Sequence, residues 1–293
     1  MATSELGRLL RLEGDVRIEF VDSPALRDNP LGDPGVRPLA VYTPPNFDPG
    51  GSQRYPVLYV LHGYTGDVAA LVSARPWETN IMQWADRLIV QRRMPPVLLA
   101  IVDGFTRLGG SQYVDSIHNG AYATYVIRDA LGYVDEHYPT LAQEGGRAVV
   151  GKSSGGFGAL YLAMHYPGTF AAFAAHSADS NFRSTFSNGF TAAQRTLEAY
   201  AGDLGAFVSD FEEKPKRAPP EYATMEDPRP SGCVFPARSA RLRARSALRP
   251  EHGRGARGRF PTLAYLRPGR VLHPKGRRTA PAAPALRRLR TPR

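Results

Sequence analysis

Apolar and polar residues change rhythm several times along the first two hundred positions of this chain, and each rhythm predicts an element. Asp15-Val16-Arg17-Ile18-Glu19-Phe20-Val21 alternates polar with apolar, as a half-buried strand does. Val36 to Tyr42 reads as its hairpin partner, closed by Thr43-Pro44-Pro45-Asn46. Pro56 to Leu61 and Val97 to Val102 are continuous apolar runs, the mark of strands covered on both faces. The first ends in His62-Gly63-Tyr64-Thr65-Gly66 and the second in Asp103-Gly104. Helical spacing runs from Glu78 to Arg92, with Ile81, Trp84, Ala85 and Leu88 on one face. It returns from Tyr122 to His137, with Val126, Leu131 and Val134 near one face.

Arg147 to Val150 is a further short strand, and a helix pattern from Gly156 to Tyr166 is stopped by Pro167-Gly168. Thr169 to Ala175 then reads as another strand. Strands alternating with helices predict crossovers and a mostly parallel sheet, with ligands bound at the carboxyl ends of the strands. His62-Gly63, Asp103-Gly104, Ser153 and His176-Ser177 all fall at such ends. Residues 191–213 read as helical and amphipathic, and Lys214 to Pro220 as a polar linker.

Charge divides the chain in two. The net +10 hides residues 1–226, with 19 Lys and Arg against 25 Asp and Glu, and residues 227–293, with 18 against 2. The second part holds 17 Arg and 10 Pro and shows no periodicity, so it predicts a tail disordered by itself. The expected organisation is an α/β domain over 1–226 and an Arg/Pro-rich tail over 227–293. No stretch approaches a membrane span, and Leu9-Leu10 is too short for a signal peptide's apolar core. The single cysteine, Cys233, excludes an internal disulfide and a cysteine-based metal site. A cytoplasmic protein is the expectation.

Between the strand at 147–150 and the following helix stands Gly151-Lys152-Ser153-Ser154-Gly155. A Gly-x-Ser-x-Gly in that setting is a nucleophile elbow: the chain turns sharply, small residues flank a strained serine, and its hydroxyl rises above the sheet. Ser153 is the candidate nucleophile, and the backbone N–H of Ser154, at a helix N-terminus, a candidate oxyanion donor. The loop after the third strand supplies the second donor, for which the Tyr64 N–H is the candidate. His62 reads as a brace for that loop, and Lys152 as a solvated side chain. Gly109-Gly110-Ser111-Gln112-Tyr113 is expected to line the cleft.

These segments together resemble the esterase family of α/β hydrolases that includes esterase D, enterochelin esterases and the mycolyltransferase relatives. The residues that carry the resemblance are Tyr59-Val60-Leu61-His62-Gly63, Val102-Asp103-Gly104, Gly120-Ala121-Tyr122 leading into Asp129-Ala130-Leu131-Gly132-Tyr133-Val134, and Gly151 to Gly156. It covers residues 15–200. The resemblance implies a three-layer α/β-hydrolase sandwich and Ser153 as nucleophile, with Tyr64 and Ser154 as oxyanion donors. It also implies small carboxylic ester or thioester substrates and no metal or organic cofactor.

Family members place the acid after a seventh strand and the histidine after an eighth. Past residue 225 the arginine-rich tail stands instead, so the sheet is expected to lack its last strands and the triad histidine is unassigned. His252 and His273 lack the setting of a catalytic loop, and Asp179 is the candidate acid one strand earlier than usual. Without its base the chain would be inactive as written. The tail's excess of Arg, Pro, Ala and Gly is what GC-rich DNA read in a shifted frame gives, with the switch between Glu221 and Ser231. The rival is a genuine basic arm on a catalytically dead domain, binding nucleic acid or another polyanion. Neither substrate identity nor oligomeric state is written in the sequence.

Overall fold

In the computed structural model of this protein, residues 3–226 are described. The six-stranded sheet runs β1 (Asp15–Asp22), β2 (Val36–Thr43), β4 (Leu98–Val102), β3 (Val57–Leu61), β5 (Arg147–Lys152) and β6 (Ala172–His176), in that spatial order. β1 and β2 form the antiparallel hairpin, and β2 also meets β4 antiparallel. The pairs β3–β4, β3–β5 and β5–β6 are parallel. The mostly parallel sheet follows from the continuous apolar runs, since strands covered by helices on both faces need no polar side.

Alternate residues of those strands enter two cores. Leu39, Val41, Tyr59, Leu61, Ala100 and Val102 lie on one face, under the helix after β4 and the helix after the elbow. The first of these, α4, joins Tyr122–Thr124, a π segment Tyr125–Ala130 and Leu131–His137 end to end. The second, α5, spans Ser154–His165. Ala40, Tyr42, Val60, Leu99 and Ile101 face the other way, against α1 (Glu5–Leu9), α2 (Val68–Val72) and α3 (Ile81–Val90) and their flanks. Helix, sheet and helix make the three layers of the α/β-hydrolase fold.

α3 departs from the expected face. Trp84 is half exposed, and Met82, Ala85, Asp86 and Ile89 are the buried positions. Asp86 rotates the buried stripe because its carboxylate has partners inside: Tyr42 Oη at 3.0 Å, Gly14 N at 2.8 Å and Glu13 N at 3.1 Å. A capping box between Asn80 and Gln83 starts the helix three residues after the sequence pattern does.

Past β6 lie α6 (Phe182–Phe186), α7 (Phe190–Glu198), α8 (Leu204–Glu213) and α9 (Pro219–Glu226). The stretch expected to be helical over 191–213 holds two helices. Ala201 and Gly202 both take positive φ, and Asp203 caps α8 by accepting from Ala206 N at 3.0 Å. The linker expected over 214–220 runs into α9, whose Met225 joins Phe207, Val208 and Leu108 in a third small core. Lys214 ion-pairs with Asp210 and Glu221 at 2.6 and 2.7 Å and ties that stretch down. The expectations for residues 227–293, His252 and His273 among them, lie outside the described residues.

Candidate active site

Ser153 sits between β5 and α5 with φ 57° and ψ −122°, a conformation that a residue with a side chain holds only under tertiary constraint. The constraint is visible. Ser153 N donates to His176 O at 3.0 Å, and Phe157 N to Ser153 O at 2.9 Å. A Cβ on Gly151 would stand 2.1 Å from Gly155 O, and one on Gly155 would stand 2.1 Å from Leu61 O. No side chain fits either place, so both elbow glycines are required by close backbone approach rather than by their own dihedrals.

The loop after β3 meets the elbow directly: a Cβ on Gly63 would lie 3.6 Å from Ser153 Cβ and 3.3 Å from Lys152 O. Tyr64 follows Gly63, so its backbone borders the same spot. The Tyr64 ring is held away, its Oη donating to Leu108 O at 2.9 Å and its face against Gly109. Thr65 N donates to Gly109 O at 2.8 Å and ties the two loops together. Ser154 opens α5, where the first N–H groups have no intrahelical acceptor and the helix dipole is positive.

His62 is a brace. Gly104 N donates to its Nε2 at 2.8 Å, so the ring proton is on Nδ1, which bonds Gly63 O at 2.9 Å. Both nitrogens are committed to backbone and the residue is buried. Beside it, at 3.6 Å, the Asp103 carboxylate pairs with Arg37, whose guanidinium also bonds Phe105 O. Tyr113 Oη donates to His62 O at 3.1 Å and completes the support beneath the loop.

The 109–113 loop reaches the site through one side chain. Gln112, buried and with φ 55°, donates from Nε2 to Ser154 Oγ at 3.1 Å. Ser154 Oγ donates in turn to Asp179 Oδ2 at 3.3 Å. Burial pushes the Asp179 carboxyl above the usual carboxylate range, against the lowering effect of the hydrogen bond from Ser154. The structure thus brings Asp179 to Ser154, the neighbour of Ser153 in the elbow, and sets the Tyr64 backbone beside Ser153.

No histidine ring hydrogen-bonds Ser153 among the described residues. His137 and His165 stack on Tyr133 and Tyr161 of their own helices, each bonded through Nδ1 to a backbone oxygen at 2.9 Å. His176 meets Ser153 only through its carbonyl. The described residues contain no cluster of three or more His, Cys, Asp or Glu that could hold a metal ion, and no helix among them is long and apolar enough to cross a membrane.

The family described as Putative esterase matches residues 34–199, more than half of the chain, from β2 through the elbow to α7. This chain belongs to that family. Among curated relatives in it, Esterase Rv1288 of Mycobacterium tuberculosis (strain ATCC 25618 / H37Rv) is 31% identical over 173 residues. The match takes in 59% of this chain and 34% of the relative. Esterase MT1326 of Mycobacterium tuberculosis (strain CDC 1551 / Oshkosh) is equally similar, so the chain spans about a third of the length of the curated relatives it matches. Among solved structures, a ferulic acid esterase is 24% identical with a TM-score of 0.44, over 57% of this chain and 60% of that one. Fluorophosphonate-binding serine hydrolase F of Staphylococcus aureus is 18% identical with a TM-score of 0.46, over 59% and 60% of the two chains.

Proposed function

We propose that this chain is a serine esterase, cleaving a small carboxylic ester or thioester through an acyl-serine intermediate on Ser153. The observation that carries the proposal is the conformation of Ser153, φ 57° and ψ −122°, held where any side chain at Gly151 or Gly155 would collide with backbone. Such a strained serine between strand and helix serves no packing purpose, since an unstrained turn would connect the two elements at lower cost. Membership of the esterase family and the esterase relatives support the same reading.

In the proposed reaction Ser153 Oγ attacks the carbonyl carbon. Negative charge then grows on the carbonyl oxygen, and the backbone N–H groups of Tyr64 and Ser154 receive it beside the positive end of α5. Because these donors are fixed before the substrate arrives, little reorganisation opposes charge development. His62 takes no proton in this scheme; it fixes the loop that carries Tyr64, bonding Gly63 on one side and Gly104 on the other.

The test is covalent labelling of the full chain by a fluorophosphonate probe, beside Ser153→Ala. Labelling of the unaltered protein and none of the variant is the expected result. Equal labelling of both, or of neither when both are folded, overturns the proposal.

A further inference from the structure

We propose that the dipeptide Gln112-Tyr113 positions the oxyanion hole, its two adjacent side chains gripping the two proposed donors from one segment of backbone. The inference rests on the esterase reading above and deepens it, adding what holds Tyr64 N–H and Ser154 N–H in register. Gln112 Nε2 donates to Ser154 Oγ at 3.1 Å, and Tyr113 Oη donates to His62 O at 3.1 Å. One contact falls on the elbow and the other on the loop after β3. A single pair of residues therefore spans both sides of the hole.

A peptide group is planar, so fixing its oxygen fixes the direction of its N–H. Two successive peptides lead to Tyr64 N. The first is anchored at His62 O by Tyr113, and the second at Gly63 O by His62 Nδ1 at 2.9 Å. On the elbow, the peptide that carries Ser154 N–H is anchored at Ser153 O by Phe157 N at 2.9 Å. The Ser154 side chain is held twice, accepting from Gln112 and donating to Asp179 Oδ2 at 3.3 Å. Each donor thus has an anchor within its own segment and another from residues 112–113, and the shared anchor links the two through hydrogen bonds.

Gln112 and Tyr113 both take φ 55°, a left-handed conformation that is unfavourable for residues with side chains and rare for an aromatic one. The surroundings hold it. Tyr113 N donates to Ser111 Oγ at 3.2 Å, and Ser111 N to Gly104 O at 3.1 Å. The Tyr113 ring fills a slot between the end of β4 and α5 that two glycines keep open. A Cβ on Gly104 would stand 2.5 Å from Tyr113 Cε1, and one on Gly158 would stand 2.5 Å from Cδ2. Both residues are buried, and burial pushes the Tyr113 phenol well above its ordinary range, so the hydroxyl keeps its proton and donates at neutral pH. Filling space needs neither a hydroxyl nor an amide, whose burial is unfavourable unless each finds a partner. Here the partners found are the two walls of the hole.

The experiment measures kcat and KM for p-nitrophenyl acetate, and inhibition by phenyl trifluoromethyl ketone. It compares the full chain with Ser153→Ala, Gln112→Ala, Tyr113→Phe, Ser154→Ala and the double variant Gln112→Ala/Ser154→Ala. The ketone reports on the hole because its adduct with Ser153 carries an oxyanion where the transition state does. Thermal melting checks that each variant is folded. Gln112→Ala and Tyr113→Phe should each lower kcat about tenfold, keep KM within about twofold, and weaken ketone binding by the factor lost from kcat. Gln112→Ala should have no further effect in the Ser154→Ala background, because its grip acts through that hydroxyl. Folded variants that keep kcat within about twofold, or lose kcat without losing ketone affinity, overturn the proposal and leave the esterase reading standing. So does a Gln112→Ala effect that is equal with and without the Ser154 hydroxyl. A full chain that hydrolyses the ester no faster than Ser153→Ala removes both. If Tyr113→Phe does not fold, the cycle of Gln112 and Ser154 variants decides alone.

Discussion

The two sides of β5 are built to different standards. Toward β3, the elbow packs so closely that a single methyl group on Gly155 would meet the Leu61 carbonyl at 2.1 Å. Toward β6, all five strand residues from Ala172 to His176 are exposed, and Phe173 keeps 49% of its surface in solvent. One side holds Ser153 and the loop after β3, the proposed nucleophile and oxyanion loop, in close backbone contact. The other ends, among the described residues, in a strand that pairs on one edge only. In the proposed reaction, attack and charge stabilisation therefore depend on the finished half of the sheet.

The largest effect belongs to Ser153. Its replacement by Ala should reduce esterase kcat/KM by about 10⁴-fold or more, equivalent to roughly 5.5 kcal/mol of transition-state stabilisation, with no change in melting temperature. Gly155→Ala attacks the same side through packing. The added carbon finds backbone at 2.1 and 2.6 Å, atoms with no rotamer to change, so the elbow must open. Loss of at least about 3 kcal/mol, read as insoluble or partly unfolded protein in urea titration, is expected. A Gly155→Ala variant with normal stability would show that the elbow is less tightly set than its geometry implies.

Arg37→Met comes next. Arg37 and Asp103 form an ion pair with each side chain only 5% exposed, and removing one partner leaves a buried charge unmatched. About 3–5 kcal/mol should be lost, and most of it recovered in the double variant Arg37→Met/Asp103→Asn. Because Asp103 stands 3.6 Å from His62, the single variant should also loosen the oxyanion loop and lower kcat more than it raises KM. Chemical denaturation of the three proteins beside ester hydrolysis separates the two consequences.

What the sequence reveals tracks how local the physics is. The elbow and the buried strands are legible because their signals are continuous in the chain: a Gly-x-Ser-x-Gly between apolar run and helix, and four to six apolar residues without a break. The loop 109–113 is legible as a cleft loop. Its contribution through Gln112 is not, because a bond across 42 positions to Ser154 leaves no local pattern. Asp179 can be named as a candidate acid from its place after a strand, but its hydrogen bond from Ser154 depends on how the chain turns after His176. The face of α3 misleads for the same reason. Asp86 breaks the apolar stripe, and its partners Tyr42, Gly14 and Glu13 lie more than forty positions away. The break between α7 and α8 could have been found, since Gly202-Asp203 joins a helix terminator to an N-cap residue.

Gly132 offers a small effect of opposite sign. It lies near the start of the Leu131–His137 segment of α4, exposed, and a Cβ there meets nothing within 4 Å. Gly132→Ala should stabilise the protein by about 0.5–1 kcal/mol through helix propensity alone, visible as a raised melting temperature with unchanged activity. Set beside Gly155→Ala, the same chemical change has opposite outcomes, decided only by what surrounds the added carbon.

The smallest effect on stability is at Phe173. Its strand shows neither charge nor proline along Ala172-Phe173-Ala174-Ala175, the devices that ordinarily keep strand edges from pairing with other chains. Phe173 lies opposite the fully buried Val149 of β5, yet remains half in solvent, so little packing is lost when it is replaced. Phe173→Lys should alter unfolding free energy by no more than about 0.5 kcal/mol. It should also place a charge on the exposed edge and reduce concentration-dependent association, read by light scattering over a tenfold range of protein concentration. If association is unchanged while stability falls by several times that amount, Phe173 is covered in the whole protein. The open side of the sheet would then be as finished as the side that holds Ser153.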